Sequence, residues 1–370
     1  MTDEPQHNPS PTSSEQPSPG APPAGSLNGA QPMLQSEHQT FRPRLHPLLG
    51  TPLLFLAFVA CSVPALLLTP HLEPLAEWLR APGSALAVDP DTGQVLKTEP
   101  SLDLPTIILR SLATWLLAIP ALIVLSSWLR FGRERLGLGS TRQTGSVLFS
   151  VGLATGIALI AMPALLALLL GGYSPASAET ISTLSAPTGS AALPGVGLLV
   201  VGLFIAAFGE ELLCRGLLLR YWEPLLGTSG ALLLSTVIFA ALHYSNDHVG
   251  PLPLIGLLLA GLLLGAVFLL SGNLWLVTGL HLGWNVATAL LFGLPVSGFQ
   301  MPAVFRLQTA DDSLWHLLLG GQFGPEEGLL YHLVLVLAGV LFVSRVRPAA
   351  SLAAAPSTGP NHPPTPDKQQ

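Results

Sequence analysis

Three short stretches set ionisable and polar residues inside apolar sequence. They are Phe208-Gly209-Glu210-Glu211-Leu212-Leu213-Cys214-Arg215, Phe239-Ala240-Ala241-Leu242-His243 and His281-Leu282-Gly283-Trp284-Asn285. A charge near the centre of a membrane helix costs on the order of 2.5–3.5 kcal/mol on insertion scales, so residues of this kind mark functional positions. Carboxylate and neutral imidazole are ordinary zinc ligands, and catalytic zinc sites keep one position open for water. A carboxylate beside such a water serves as general base. Two Glu, two His and an Asn therefore point to hydrolysis by an activated water. Each stretch alone has a plainer reading: an ion pair at a helix end, a buried hydrogen-bonded His, an interhelical hydrogen bond. Their coincidence on three neighbouring apolar segments is what carries the chemical reading.

Spacing assigns the side chains to faces. Arg215 follows Glu211 by four residues, one helical turn, so the two share a face. Glu210 projects about 100° away from Glu211. Glu211 is thus expected to be held by Arg215, leaving Glu210 to face a cavity. His281 and Asn285 are also one turn apart, and Trp284 between them is expected at the cavity wall.

The elements that must position these residues are membrane helices. Of 370 residues, 49% are hydrophobic and 10% charged, against about 25% charged in soluble domains, and the mean hydropathy is +0.57. A span needs about 20 mostly apolar residues. Eight candidates are read, at 47–68, 104–128, 147–170, 195–219, 230–244, 251–270, 274–292 and 329–346. The expected fold is all-α, a polytopic membrane helical bundle with disordered polar tails. Residues 1–45 form one tail, rich in Pro, Ser, Gln and Gly and without the apolar core of a signal segment; residues 348–370 form the other. Residues 46–193 are read as accessory transmembrane helices, 194–293 as the core, and 294–347 as an outer loop with the last helix. The loop 293–328 is expected to cover the outer mouth and shows no recognisable chemistry of its own.

Arginines set the orientation. Arg42 and Arg44, then Arg130, Arg133, Arg135 and Arg142, then Arg220, then Arg345 and Arg347 fall on one side if there are eight crossings. The opposite loops are acidic or uncharged. Both termini are placed in the cytoplasm, in a plasma (inner) membrane protein with membrane lipids as partners. No basic patch interleaved with aromatics appears, so no nucleic-acid partner is expected. Cys61 and Cys214 lie in apolar runs and form neither a disulfide framework nor a zinc pattern. No Gly-x-Ser-x-Gly, His-Glu-x-x-His or Gly-x-Gly-Asp sequence occurs, which argues against serine, site-2-type and aspartyl intramembrane proteases. His46, His71, His316 and His332 are scattered without partners at ligand spacing.

In order and spacing, Glu210-Glu211-x-x-x-Arg215, Phe239-x-x-x-His243 and His281-x-x-x-Asn285 resemble the three motifs of the CPBP family, the CAAX prenyl protease type 2 family with its bacteriocin-immunity relatives. The resemblance implies an intramembrane metallo-endopeptidase acting on membrane-embedded or lipid-modified peptides. It implies that Glu210 activates the water, that His243 and His281 bind a metal or hold the water, and that Asn285 helps bind the oxyanion. Glu211, Arg215 and Phe239 would support them. Zinc is the cofactor expected from the ligand set His243, His281 and Glu210. The alternative is a non-enzymatic membrane protein, an immunity factor, scaffold or transporter, that uses the same polar centre for binding.

One difficulty accompanies this reading. On straight upright helices Glu210 lies about 13 Å, His281 about 10 Å and His243 about 20 Å from their cytoplasmic ends, at 1.5 Å per residue. Tilt, or a fifth helix that starts later while residues 217–228 run along the surface, is needed to bring them together.

Overall fold

The computed structural model describes residues 43–79, 104–177, 193–301, 303 and 305–345. The two tails, apart from residues 43–45, lie outside the described residues. The helices are α1 (Pro47–Leu79), α2 (Leu104–Trp128), α3 (Arg142–Leu169), α4 (Leu193–Glu211), α5 (Arg220–Leu242), α6 (Pro251–Ser271), α7 (Leu274–Val286), α8 (Ser313–Leu319) and α9 (Leu329–Arg345). Among the described residues the only strands are β1 (Tyr173–Pro175) and β2 (Leu307–Thr309), paired antiparallel with Tyr173 opposite Thr309. They tie the segment after α3 to the segment after α7.

Among the described residues six helical runs are long and apolar enough to cross a membrane, and a shorter apolar helix covers Leu329–Ser344. Large apolar side chains such as Leu67, Met162, Leu169 and Val340 point outward, as they do where the solvent is lipid. The chain is an all-α integral membrane protein.

The expected end of the fourth helix at residue 219 is not what forms. From Val196 to Leu242 the chain is one run of 47 residues. Leu212–Leu219 is a π-helix joining α4 to α5 without a break, a form that recurs at functional sites. Leu217, Leu218, Leu219 and Tyr221 are buried, so the start of the 217–228 segment belongs to the core and not to the surface. The run reverses at Gly227, whose φ of 69° and ψ of 170° lie where only glycine sits comfortably. Ser235 Oγ donates to the Cys214 carbonyl at 2.8 Å across the reversal, and the Arg215 guanidinium stands 4.4 Å over the Phe239 ring. Glu210 lies 17 residues before Gly227 and His243 lies 16 after it. Arms of nearly equal length place these two at similar depth, which removes the part of the difficulty that concerned Glu210 and His243.

The α7 helix is set from both ends. Asn273 caps its N-terminus by accepting from Leu276 N at 3.1 Å, a favoured use of Asn. Leu274 N–H donates to the Gly137 carbonyl at 2.9 Å. Along its length α7 meets α3 backbone to backbone. A Cβ on Gly152 or Gly156 would collide with the carbonyls of Leu276 or Leu280, and one on Gly279 or Gly283 with those of Phe149 or Leu153. Both helices therefore carry a small-x-x-x-small pair at the same contact, the arrangement that permits closest approach in lipid. A helix expected to be accessory thus seats the helix that carries His281.

Candidate active site

The three motifs meet. Glu210 Oε2 lies 4.0 Å from His243 Nε2 and 3.9 Å from His281 Nε2. The Glu210 oxygen is buried and has no hydrogen-bond partner among the described residues. Asn285 lines a cavity of about 200 Å³ together with Glu210, His243 and His281. Asn285 is thus brought to the site, one turn beyond His281.

Each imidazole is fixed through its other nitrogen. His243 Nδ1 lies 2.9 Å from the Phe239 carbonyl. His243 follows the last turn of α5, where carbonyls lack helical partners. A carbonyl only accepts, so Nδ1 carries the hydrogen and the Nε2 lone pair faces Glu210. His281 Nδ1 lies 2.8 Å from Glu211 Oε1, which sets the same tautomer. That carboxylate oxygen also accepts from Arg215 Nη1 at 3.0 Å, as the four-residue spacing predicts. Arg215 Nη2 donates to the Gly261 carbonyl at 3.2 Å. Glu211 and Arg215 are fully buried. Phe239 is the hub of the packing, with ring centroids 4.9 Å from His243 and 6.0 Å from His281.

This donor set has the chemistry of a zinc site: two imidazoles with free Nε2 atoms, an orphaned carboxylate oxygen, and a carboxylate orienting one His from behind. The separations are wider than those of a closed site. Tetrahedral ligands about 2 Å from an ion stand about 3.3 Å apart, so ligation would draw the carboxylate inward by roughly half an ångström relative to each nitrogen. Among the described residues no group of three or more His, Cys, Asp or Glu stands in ion-binding geometry. The gaps of 4.0 and 3.9 Å as they stand are ones a water can bridge between Glu210 and either imidazole at about 2.8 Å.

Two residues of the site were not found in the sequence. Residues between 293 and 328 line the cavities at this end of the bundle and bring chemistry with them. Ser297 and Glu326 line a small cavity of about 30 Å³ with His243, His281 and Asn285. Glu326 is 4% exposed, and burial pushes its carboxyl up to about 7. Nothing local marks Glu326, because it sits in an acidic pair that reads as loop charge. His332, read as scattered, is buried and donates from Nε2 to the Glu326 carbonyl at 2.8 Å. Larger clefts of about 560 and 580 Å³ lie among the loops around His316 and Arg306, and no motif residue lines them.

Residues 192–287 match the family model described as type II CAAX prenyl endopeptidase Rce1-like. Within this segment the chain is similar to that family. The matched segment runs from the start of α4 to just beyond α7 and holds all three motifs, about a quarter of the chain. No curated protein and no solved structure matches the chain. The helices outside the CPBP-like segment, including α3 and α9, stand on their own geometry.

Proposed function

We propose that this chain is an intramembrane endopeptidase that hydrolyses peptide bonds of membrane-associated or lipid-modified proteins. The family match supports CAAX-type proteolysis at the family level. The observation that carries the reading is the convergence of Glu210 Oε2 on both free imidazole nitrogens, at 4.0 and 3.9 Å. A scaffold has no use for an unpartnered buried carboxylate facing two oriented lone pairs.

Glu210 takes one proton of the attacking water, and the water's other hydrogen is donated to the Nε2 lone pair of His243 or His281. The water oxygen adds to the peptide carbonyl, and the resulting oxyanion lies at the Asn285 side chain, whose amide donates to it. The proton held by Glu210 passes to the leaving amine. Glu211 keeps His281 in the required tautomer, and Arg215 holds Glu211 in place. Zinc is part of the proposal: His243, His281 and Glu210 would hold it, the imidazoles then reaching the water through the ion and not directly, and a bound ion would lower the pKa of its water to about 7. The cavity beside Glu210 reaches Ser111 of α2 and Leu203 of α4, so substrate enters from the side where these helices meet. The arginine pattern supports a cytoplasmic position for both termini, and a plasma (inner) membrane location is part of the same proposal.

The deciding experiment is hydrolysis of a panel of prenylated C-terminal peptides and membrane-segment peptides by the purified full chain in detergent. Wild type is expected to cleave a member of the panel, with Glu210→Gln and His243→Ala reduced at least about a hundredfold. Cleavage that persists in both variants would overturn the site.

A further inference from the structure

The turn at Pro325–Glu327 is pressed against α6. A Cβ on Gly256 would collide with the Glu326 carbonyl, and His332 of α9 bonds that same carbonyl at 2.8 Å. The backbone of Glu326 is thereby fixed between two helices. Its side chain runs toward α7. Oε1 accepts from Trp284 Nε1 at 3.2 Å and from Ser297 Oγ at 3.4 Å. Oε2 is buried and has no hydrogen-bond partner among the described residues. The small cavity that Glu326 lines is shared with His243, His281 and Asn285, and its volume of about 30 Å³ admits a water or two and nothing larger.

Two facts separate this carboxyl from a packing residue. Burying a polar group with one oxygen unsatisfied costs stability, and an apolar side chain of the same size would hold the turn without that cost. Its donor, Trp284, lies three residues beyond His281, so the two are neighbours on α7; with Asn285 they form the face of α7 that lines the small cavity. Fixing the indole fixes the rotation of that face about the helix axis. His243, His281, Asn285 and Ser297 line both the larger cavity and the small one. Glu210 therefore stands on one side of this wall and Glu326 on the other.

We propose that Glu326 is a third carboxyl of the reaction centre, beside Glu210 and Glu211: a positioning residue that locks Trp284, and through it the His281–Asn285 face, and that holds a water behind this face with its free oxygen. This rests on the hydrolytic reading of the site. Glu326 lies outside the segment matched by the family model, so it is a contribution of this chain's own covering loop.

The test uses the full chain with Glu326→Leu, which keeps the size and removes the polarity, and Glu326→Gln, which keeps an acceptor for Trp284 and a polar group toward the cavity. A displacement well under 1 Å at a reacting centre costs tenfold or more. Glu326→Leu is expected to lower kcat at least about tenfold with KM within about twofold, and Glu326→Gln to recover kcat to within about threefold of wild type. Unchanged kcat in Glu326→Leu, or a loss confined to KM, overturns the proposal. A second measurement does not need turnover. Tryptophan emission of the full chain, referenced to Trp284→Phe, is expected to shift in Glu326→Leu and not in Glu326→Gln; identical spectra for the two overturn the lock. If Glu326→Leu does not fold, Trp284→Phe removes the same hydrogen bond and is expected to lower kcat with KM unchanged; wild-type kcat there overturns the lock. Activity that survives Glu210→Gln refutes the hydrolytic site and leaves the emission result to judge Glu326 separately.

Discussion

His281 Nδ1 and Arg215 Nη1 meet on one atom, Glu211 Oε1, at 2.8 and 3.0 Å. The second acid of the Glu-Glu pair is therefore not a spare base. It is the joint through which α4 orients the imidazole on α7, and it cannot be removed without leaving the Arg215 guanidinium buried and unpaired.

Glu211→Ala is expected to lose about 3–5 kcal/mol of stability, the range for breaking a buried ion pair by removing one partner. Arg215→Ala should fall in the same range, and the double variant should lose less than the sum. Thermal denaturation of the four proteins in one detergent checks this. Additive losses would show that the pair does not act as a unit.

Gly283→Leu adds a side chain where the Leu153 carbonyl of α3 lies against α7. Overpacking of this kind costs about 1–3 kcal/mol, and parting the helices shifts His281 relative to Glu210. Hydrolysis is expected to fall at least about tenfold, more than the loss of stability alone would explain. A variant that keeps wild-type activity would mean that α3 does not seat the site.

Stability should depend on pH through Glu326. Its carboxyl is raised from the ordinary 4.5 to about 7 by burial, so the folded state keeps the proton longer than the unfolded chain does. Its contribution is fully present below about pH 4.5, is lost as pH rises towards 7, and stays lost above that. The span is about 3 kcal/mol at 1.36 kcal/mol per pKa unit. Its titratable neighbours are Tyr331, His332 and His281. Melting curves from pH 4.5 to 8 should slope downward in wild type and flatten in Glu326→Gln; equal slopes would place the ionisation elsewhere.

Purified protein is expected to carry one equivalent of zinc, lost in both His243→Ala and His281→Ala, with chelated enzyme inactive until zinc is returned. Elemental analysis beside the hydrolysis assay checks it. Metal-free protein that cleaves at the full rate would remove zinc from the mechanism and leave the Glu210-activated water intact.

Much of the site was legible because its signals are local. A four-residue step puts Glu211 beside Arg215 whatever the tertiary fold, and the neighbouring Glu210 must then face elsewhere. The apolar runs gave the helices for the same reason. The joining of α4 to α5 was harder: Arg220 and Glu223 look like a polar boundary, yet they pair at 3.0 Å and are buried, so the helix continues to Gly227. Ser297, Glu326 and His332 were not legible as site residues. They are brought in by a covering loop and a last helix whose contacts lie far apart in sequence, and no period or spacing encodes such contacts.

The glycine seam between α3 and α7 bears on what could be cut out of this protein. Gly152 and Gly156 lie outside residues 192–287, yet they make the groove in which the His281 helix rests. A fragment beginning at α4 would keep every motif residue and lose the surface that aligns one of them. The motif-bearing unit is not a portable cassette: transplanting it to another membrane protein would require the groove to travel with it.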